Sequence, residues 1–254
     1  MIITLASSRG APGVTSWALL LAAAWPADVG ADRVVLEADP AGGVLGARYG
    51  WGVAPGLVDL LTGLRRASGS RAIALGEAAR TVGDGVSVVP APETAGQCRT
   101  IWQSEASSVA PRLAGDARVW FVDAGRLRES DPATAFVERS SLVIIVSGGR
   151  PEDLVQLPQF LEVVKRSCDR VGVLVTGSCS YDADELKTFT GAELFWLAKN
   201  YADLIEDAAV ALSETRARRR SWGWRRALEI SSEVAIEVSR PERSGTPRPV
   251  DVLR

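Results

Sequence analysis

The residues best placed to do chemistry come early in the chain. Between an apolar run at 2–6 and a helix-like run opening at Thr15-Ser16, the sequence reads Ser7-Ser8-Arg9-Gly10-Ala11-Pro12-Gly13-Val14. A loop of residues this small lets backbone N–H groups close around phosphate oxygens, and the helix behind it adds the positive end of its dipole. The same string also reads as a tight βα turn in which Thr15 or Ser16 simply caps a helix. Other chemistries are excluded. The chain has no His, and Cys98, Cys168 and Cys179 lack metal-ligand spacing, which removes zinc sites and histidine-based catalysis. Glycines at 10 and 13 do not make the G-x-G-x-x-G fingerprint of dinucleotide oxidoreductases.

Such a loop needs a strand and a helix to hold it, and the pattern along the chain supplies both repeatedly. Strand-like runs fall at 2–6, 33–38, 86–89, 118–122, 142–146, 171–176 and 193–197, with helical stretches at 15–24, 57–65, 94–113, 151–167 and 200–220. Several strands are apolar without alternation, as expected for strands covered on both faces of a parallel sheet. Alternation of strand and helix predicts an α/β fold with a doubly wound sheet. Pro158 predicts a kink or break in the 151–167 helix. Residues 39–56 are too glycine-rich for a core element and read as an ordered loop beside a site.

Composition agrees with this picture. In 254 residues, 46% are hydrophobic and the net charge is −2, which excludes wholesale disorder. The longest apolar run, Trp17 to Trp25, falls short of the roughly 18 residues a membrane-spanning helix needs. No basic leader precedes the first strand, so the expectation is a cytoplasmic protein with reduced, buried thiols. Trp17 and Trp51 are expected in the core or an interface rather than stacked on a base.

With the loop at the head of its first strand–loop–helix unit, the chain resembles the MinD/ParA family of P-loop ATPases, whose deviant Walker A loop reads K-G-G-x-G-K-T-[TS]. On that pattern Arg9 falls on the signature lysine, which reaches the partner protomer's phosphates. Gly10 and Gly13 match glycines, Ala11 replaces a third, and Thr15 matches the magnesium ligand. Val14 stands where the principal phosphate lysine belongs. The family's D-x-D-P-x-G-G is met by Glu37-Ala38-Asp39-Pro40-Ala41-Gly42-Gly43, and Asp39 falls on the aspartate that positions the attacking water. Val119-Trp120-Phe121-Val122-Asp123 resembles a Walker B strand whose Asp123 holds magnesium through water, followed by Ala124-Gly125 in place of the usual Pro-Pro or Ser-Pro. Thr176-Gly177 stands where relatives often carry an Asn near the base. Without the family, Asp39 and Asp123 read as turn or helix caps.

The resemblance implies a mostly parallel sheet of about seven strands flanked by helices, of P-loop NTPase type, over residues 1–212. A basic, Trp-bearing helical segment at 213–238 and a disordered tail at 239–254 would follow. It implies ATP or ADP with Mg²⁺, held by the main chain of Gly10, Ala11, Pro12, Gly13, Val14, Thr15 and Ser16. Thr15 and Asp123 would bind the metal, and Asp39 and Arg9 would be the catalytic pair. Valine cannot stabilise charge on the β- and γ-phosphates, so hydrolysis is expected to be weak or absent. The function implied is a nucleotide-dependent homodimeric switch that positions or regulates an assembly with a partner protein: partition, division site, or pilus and secretion machinery. The alternative is a nucleotide-free pseudo-ATPase scaffold. The segment from Arg216 to Arg226, with Trp222 and Trp224, suits an anionic membrane at the inner face, DNA, or neither.

Overall fold

Strands without polar alternation need cover on both faces, and the chain provides it. The computed structural model describes residues 1–10, 12–29, 32–52, 54–66, 75–83, 85–128, 130–198 and 222–241. Strand β1 (Ile2–Ser7) leads through the small-residue loop into α1 (Val14–Ala23). Next come β2 (Arg33–Glu37), a short α2 (Leu45–Tyr49) and α3 (Leu57–Arg66). A hairpin of β3 (Arg80–Gly83) and β4 (Val86–Val89) precedes α4 (Ala95–Ala114) and β5 (Val119–Arg126). The second half runs α5 (Thr134–Val137), β6 (Leu142–Gly148), α6 (Pro151–Leu154), α7 (Leu157–Lys165), β7 (Val171–Thr176), α8 (Ala183–Thr190) and β8 (Leu194–Ala198). The last described helix is α9 (Trp222–Ser239).

Among the described residues the strands form one eight-stranded sheet in the order β3-β4-β2-β5-β1-β6-β7-β8, parallel except for the β3–β4 pair. The doubly wound α/β architecture is as expected, with one strand more than the sequence reading. On one face Ile3, Leu5, Val35, Phe121 and Ile144 pack against α1 and α9. On the other, Ile2, Leu36 and Trp120 meet α3 and α4, while Val143, Ile145 and Val173 meet α7 and α8. Successive residues of one strand therefore enter different cores, which is why β6 reads as the unbroken Leu-Val-Ile-Ile-Val. Trp17 is 1% exposed inside the first of these cores.

Other differences have local causes. The 151–167 helix is two helices, and Pro158 sits in the first turn of α7, where its missing N–H costs nothing. The 39–56 stretch contains α2, and α1 opens at Val14 rather than Thr15. The helix read at 200–220 lies outside the described residues, as do 213–221 of the basic segment and 242–254 of the tail.

Helix α9 is packed on the sheet rather than free. Ala227, Ile230, Val234 and Ala235 are buried beside α1, and the Ser231 hydroxyl donates to the Leu21 carbonyl at 3.0 Å. Trp196 Nε1 donates to Glu233 at 2.7 Å, and Trp224 is half-buried against the same core. Arg170 donates to the carbonyls of Glu237, Arg240 and Pro241, satisfying the end of α9 where the helix is negative. No helix among the described residues is long and apolar enough to cross a membrane.

A candidate phosphate site at the sheet's switch point

Strand β1 is flanked by β5 on one side and β6 on the other, so the chain reverses its direction of winding there. In open α/β sheets, ligands bind in the crevice at the carboxyl ends of strands around such a switch. Leu5, Asp123 and Glu37 stand level across the neighbouring strands β1, β5 and β2. The register thus brings two acidic side chains together beside the loop after β1.

That loop is shaped by two glycines in the left-handed region, Gly10 at φ 64° and Gly13 at φ 89°. Gly13 is also the N-cap of α1, and it has no side chain to offer the first-turn amides. The first turn of α1 contains no acid. Val14 is the first helical residue and only 7% exposed, so its apolar side chain is turned into the core. Pro12 is buried, Arg9 is exposed, and Ala11 lies outside the described residues. Arg9 donates through Nη1 to the Glu152 carbonyl at 3.3 Å, and Arg126 donates through Nε to the Ser8 carbonyl at 3.3 Å.

Thr15 and Asp123 do meet: the Thr15 hydroxyl donates to the Asp123 carboxylate, which also accepts the Gly125 amide at 3.0 Å. Asp123 is 2% exposed. Burial pushes its carboxyl up to about 7, opposed by the Thr15 bond and reinforced by Glu37, with a smaller contribution from Asp39. A hydroxyl and a carboxylate are the hard oxygen donors Mg²⁺ prefers, and Mg²⁺ ordinarily takes one or two protein ligands and completes its shell with water and phosphate. The pair fits that ion. Among the described residues no group of three or more His, Cys, Asp or Glu could hold a metal alone, so an all-protein cage is not what this site offers.

Asp39 is half-buried at the end of β2 and accepts the Ala41 amide at 2.7 Å in an Asx turn. Burial raises its pKa, the Ala41 bond lowers it, Asp131 raises it and Arg99 lowers it. Its carboxylate packs on the Cα face of Gly125, which has φ 59°. A Cβ there would overlap the Asp39 carboxylate. Gly125→Ala is expected to lower stability by about 1–3 kcal/mol through overlap and left-handed strain. Chemical denaturation checks this, and an unchanged midpoint would mean that Asp39 is not held there.

The sequence sets Glu37 on the first acid of the motif without showing what it holds, and it gives Arg48 no role. Glu37, 1% exposed, accepts Val44 N at 2.7 Å, Leu45 N at 3.0 Å and Ala91 N at 3.0 Å. Burial raises its pKa and those three amides lower it, with the Arg48 charge acting the same way. It is the cap of α2 and the tie between the β2 and β4 loops. Arg48, in the last turn of α2, donates through Nη1 to Ser16 Oγ at 3.1 Å, bringing a guanidinium to the start of α1. Its only signal in the sequence is a lone cation within a glycine-rich stretch. Trp51 stacks on Tyr49 with Arg80 over its ring, which makes it a structural clasp of that stretch.

No protein-family model matches the chain, and no curated protein matches its sequence. Solved structures do match in fold. A ParA family ATPase from Chlorobium tepidum superposes with a TM-score of 0.71 at 15% identity, covering 91% of this chain and 98% of that one. The septum site-determining protein MinD of Pyrococcus horikoshii, complexed with Mg-ADP, gives 0.72 at 15%, covering 92% and 95%. An ATP complex of McdA from Cyanothece gives 0.67 at 13%, covering 94% and 97%. The chain has the fold of these ATPases over nearly its whole length.

Proposed function

We propose that this protein is a nucleotide-dependent switch of the MinD/ParA kind. Its observation of greatest weight is the meeting, at one switch point, of the uncapped first turn of α1, the Thr15–Asp123 bond and Asp39 seated on Gly125. In this reading the backbone N–H groups between Gly10 and Ser16, other than that of Pro12, which has none, hold the phosphates of ATP or ADP, and Thr15 and Asp123 hold Mg²⁺, which neutralises phosphate charge when bound. Asp39 orients a water, and Arg9 leaves the Glu152 carbonyl to reach the nucleotide of a second copy. The product of this arrangement is an assembly state rather than a metabolite: a homodimer, made or unmade by nucleotide, that engages a partner protein in partition, division-site or pilus and secretion assembly. Within the basic segment, Arg225 is exposed at the start of α9 and would be available to anionic membrane or DNA or to neither, whereas Arg226 is held by the Leu197 carbonyl and Glu229. We place the protein in the cytoplasm or at the inner face of the membrane.

A second reading, a nucleotide-free scaffold, is favoured by one observation: the apolar, core-facing Val14. Titration calorimetry with Mg-ATP and with a non-hydrolysable analogue separates the two. The switch reading expects saturable heat with both and phosphate release far below that of lysine-bearing relatives. Absence of heat from the native protein would leave the scaffold.

A further inference from the structure

A guanidinium beside the N-terminus of a helix is out of place on electrostatic grounds, because that end is already positive. Arg48 is nevertheless there, bonded to the hydroxyl of Ser16, the third residue of α1, which is 1% exposed. No acid in the first turn of α1 accounts for it. Glu37, on which the Arg48 charge acts, spends both carboxylate oxygens on the amides of Val44, Leu45 and Ala91. Among the described residues no acid lies within ion-pair distance of Arg48. The cation is also not there by slack. Helix α2 is five residues long, is fixed at its start by Glu37 and stops at Gly50 in the left-handed region, so the guanidinium is delivered from a short, clamped element.

The loop itself has no positive charge where one would face β- and γ-phosphates, since position 14 is valine. We propose that Arg48 supplies from α2 the phosphate-facing charge that position 14 lacks, its donors turning from Ser16 to a polyphosphate oxygen. The inference rests on the nucleotide reading above. A guanidinium suits the task because it stays charged and presents several N–H donors in a fork matched to phosphate. Ser16 Oγ then holds the side chain in place while the site is empty of anion.

The test is a set of affinities for Mg-ATP, measured by calorimetry on the full chain alongside melting temperature. Arg48→Met is expected to weaken binding about 10- to 100-fold, the range for a lost hydrogen bond to a charged group. Arg48→Lys should lose less. Native binding with an unchanged Arg48→Met affinity overturns the proposal and leaves the nucleotide reading standing; no binding by the native protein overturns both. Should Arg48→Met also lower the melting temperature, Arg48→Lys decides. Affinity close to native in Arg48→Lys supports a charge role, and a loss as large as that of Arg48→Met overturns it.

Discussion

Glu37→Ala is expected to destabilise the protein by about 3–5 kcal/mol. Three buried or half-buried amides, those of Val44, Leu45 and Ala91, share this one carboxylate. An unsatisfied buried donor costs about 1–3 kcal/mol, so three together set the scale. Part of the loss is offset, because burial disfavours the charged form of Glu37 and its removal relieves that penalty. Glu37→Gln should fall between the two, about 1–3 kcal/mol, since one amide oxygen still accepts while the NH₂ faces a donor. Chemical denaturation gives the totals. Hydrogen exchange at residues 44, 45 and 91 should show those amides losing protection in Glu37→Ala before the strand amides do. A loss under about 1 kcal/mol would mean that the carboxylate is a bystander to the two loops.

The same cluster shows where the sequence is transparent and where it is opaque. Strands β1, β6 and β7 are legible because both faces are buried, so their runs are apolar apart from Thr4 and the terminal Ser7, Ser147 and Thr176, and cannot be mistaken for a surface. Strand β3 is not, since Arg80-Thr81-Val82-Gly83 has one neighbour and no apolar stripe; only the Asp84-Gly85 pair ahead of Val86 carries a hairpin signal. Helix α8 left a signal that was there to read. Asp182 and Glu185 bond reciprocally at its start, and Gly191 ends it at φ 64°. Helix α2 left none, because five residues are too few for a period of 3.6 to appear.

The site divides in the same way. The loop from Ser7 to Val14 is visible because its small residues are contiguous. Glu37's task is invisible because Ala91 lies 54 positions along the chain, and nothing at either position announces the other. Gly42 and Gly43 make the contrast sharper, since they match a family motif yet packing and, at Gly42, backbone conformation already demand glycine here. A Cβ on Gly43 would lie 2.5 Å from the Ala91 carbonyl and 2.6 Å from Glu37 Oε2, and one on Gly42, at φ 116°, would overlap the Glu93 carbonyl. Resemblance at those positions therefore reflects the shape of the β2–β4 junction, and the proposed chemistry rests on Thr15, Asp39 and Asp123.

Asp123→Asn is expected to make the nucleotide-free protein more stable, by up to about 4 kcal/mol at pH 8, while weakening Mg²⁺-dependent binding. The Asp123 carboxyl, ordinarily at 3.8, is raised to about 7 by burial first, with Glu37 and Asp39 adding to it against the Thr15 and Gly125 bonds. Between about pH 4 and 7 the folded protein thus holds a proton that the unfolded chain has released. Native stability must fall as pH rises through that window, with the whole cost present above 7. A shift of roughly three units at about 1.4 kcal/mol each sets the upper bound. Asparagine keeps an oxygen for the Gly125 amide and the Thr15 hydroxyl but carries no proton to lose, so its stability should not show that slope. Denaturation at pH 5 and pH 8 reads both proteins: the gap should be wide at pH 8 and close toward pH 5. Mg-ATP should stabilise the native protein more at pH 8 than at pH 6, because a cation gains most from a carboxylate already ionised, and should do little for the asparagine variant. Equal stabilities at pH 8 would mean that Asp123 is ionised at no cost in the empty site, and the argument that a buried carboxylate waits there for a metal would lose its ground.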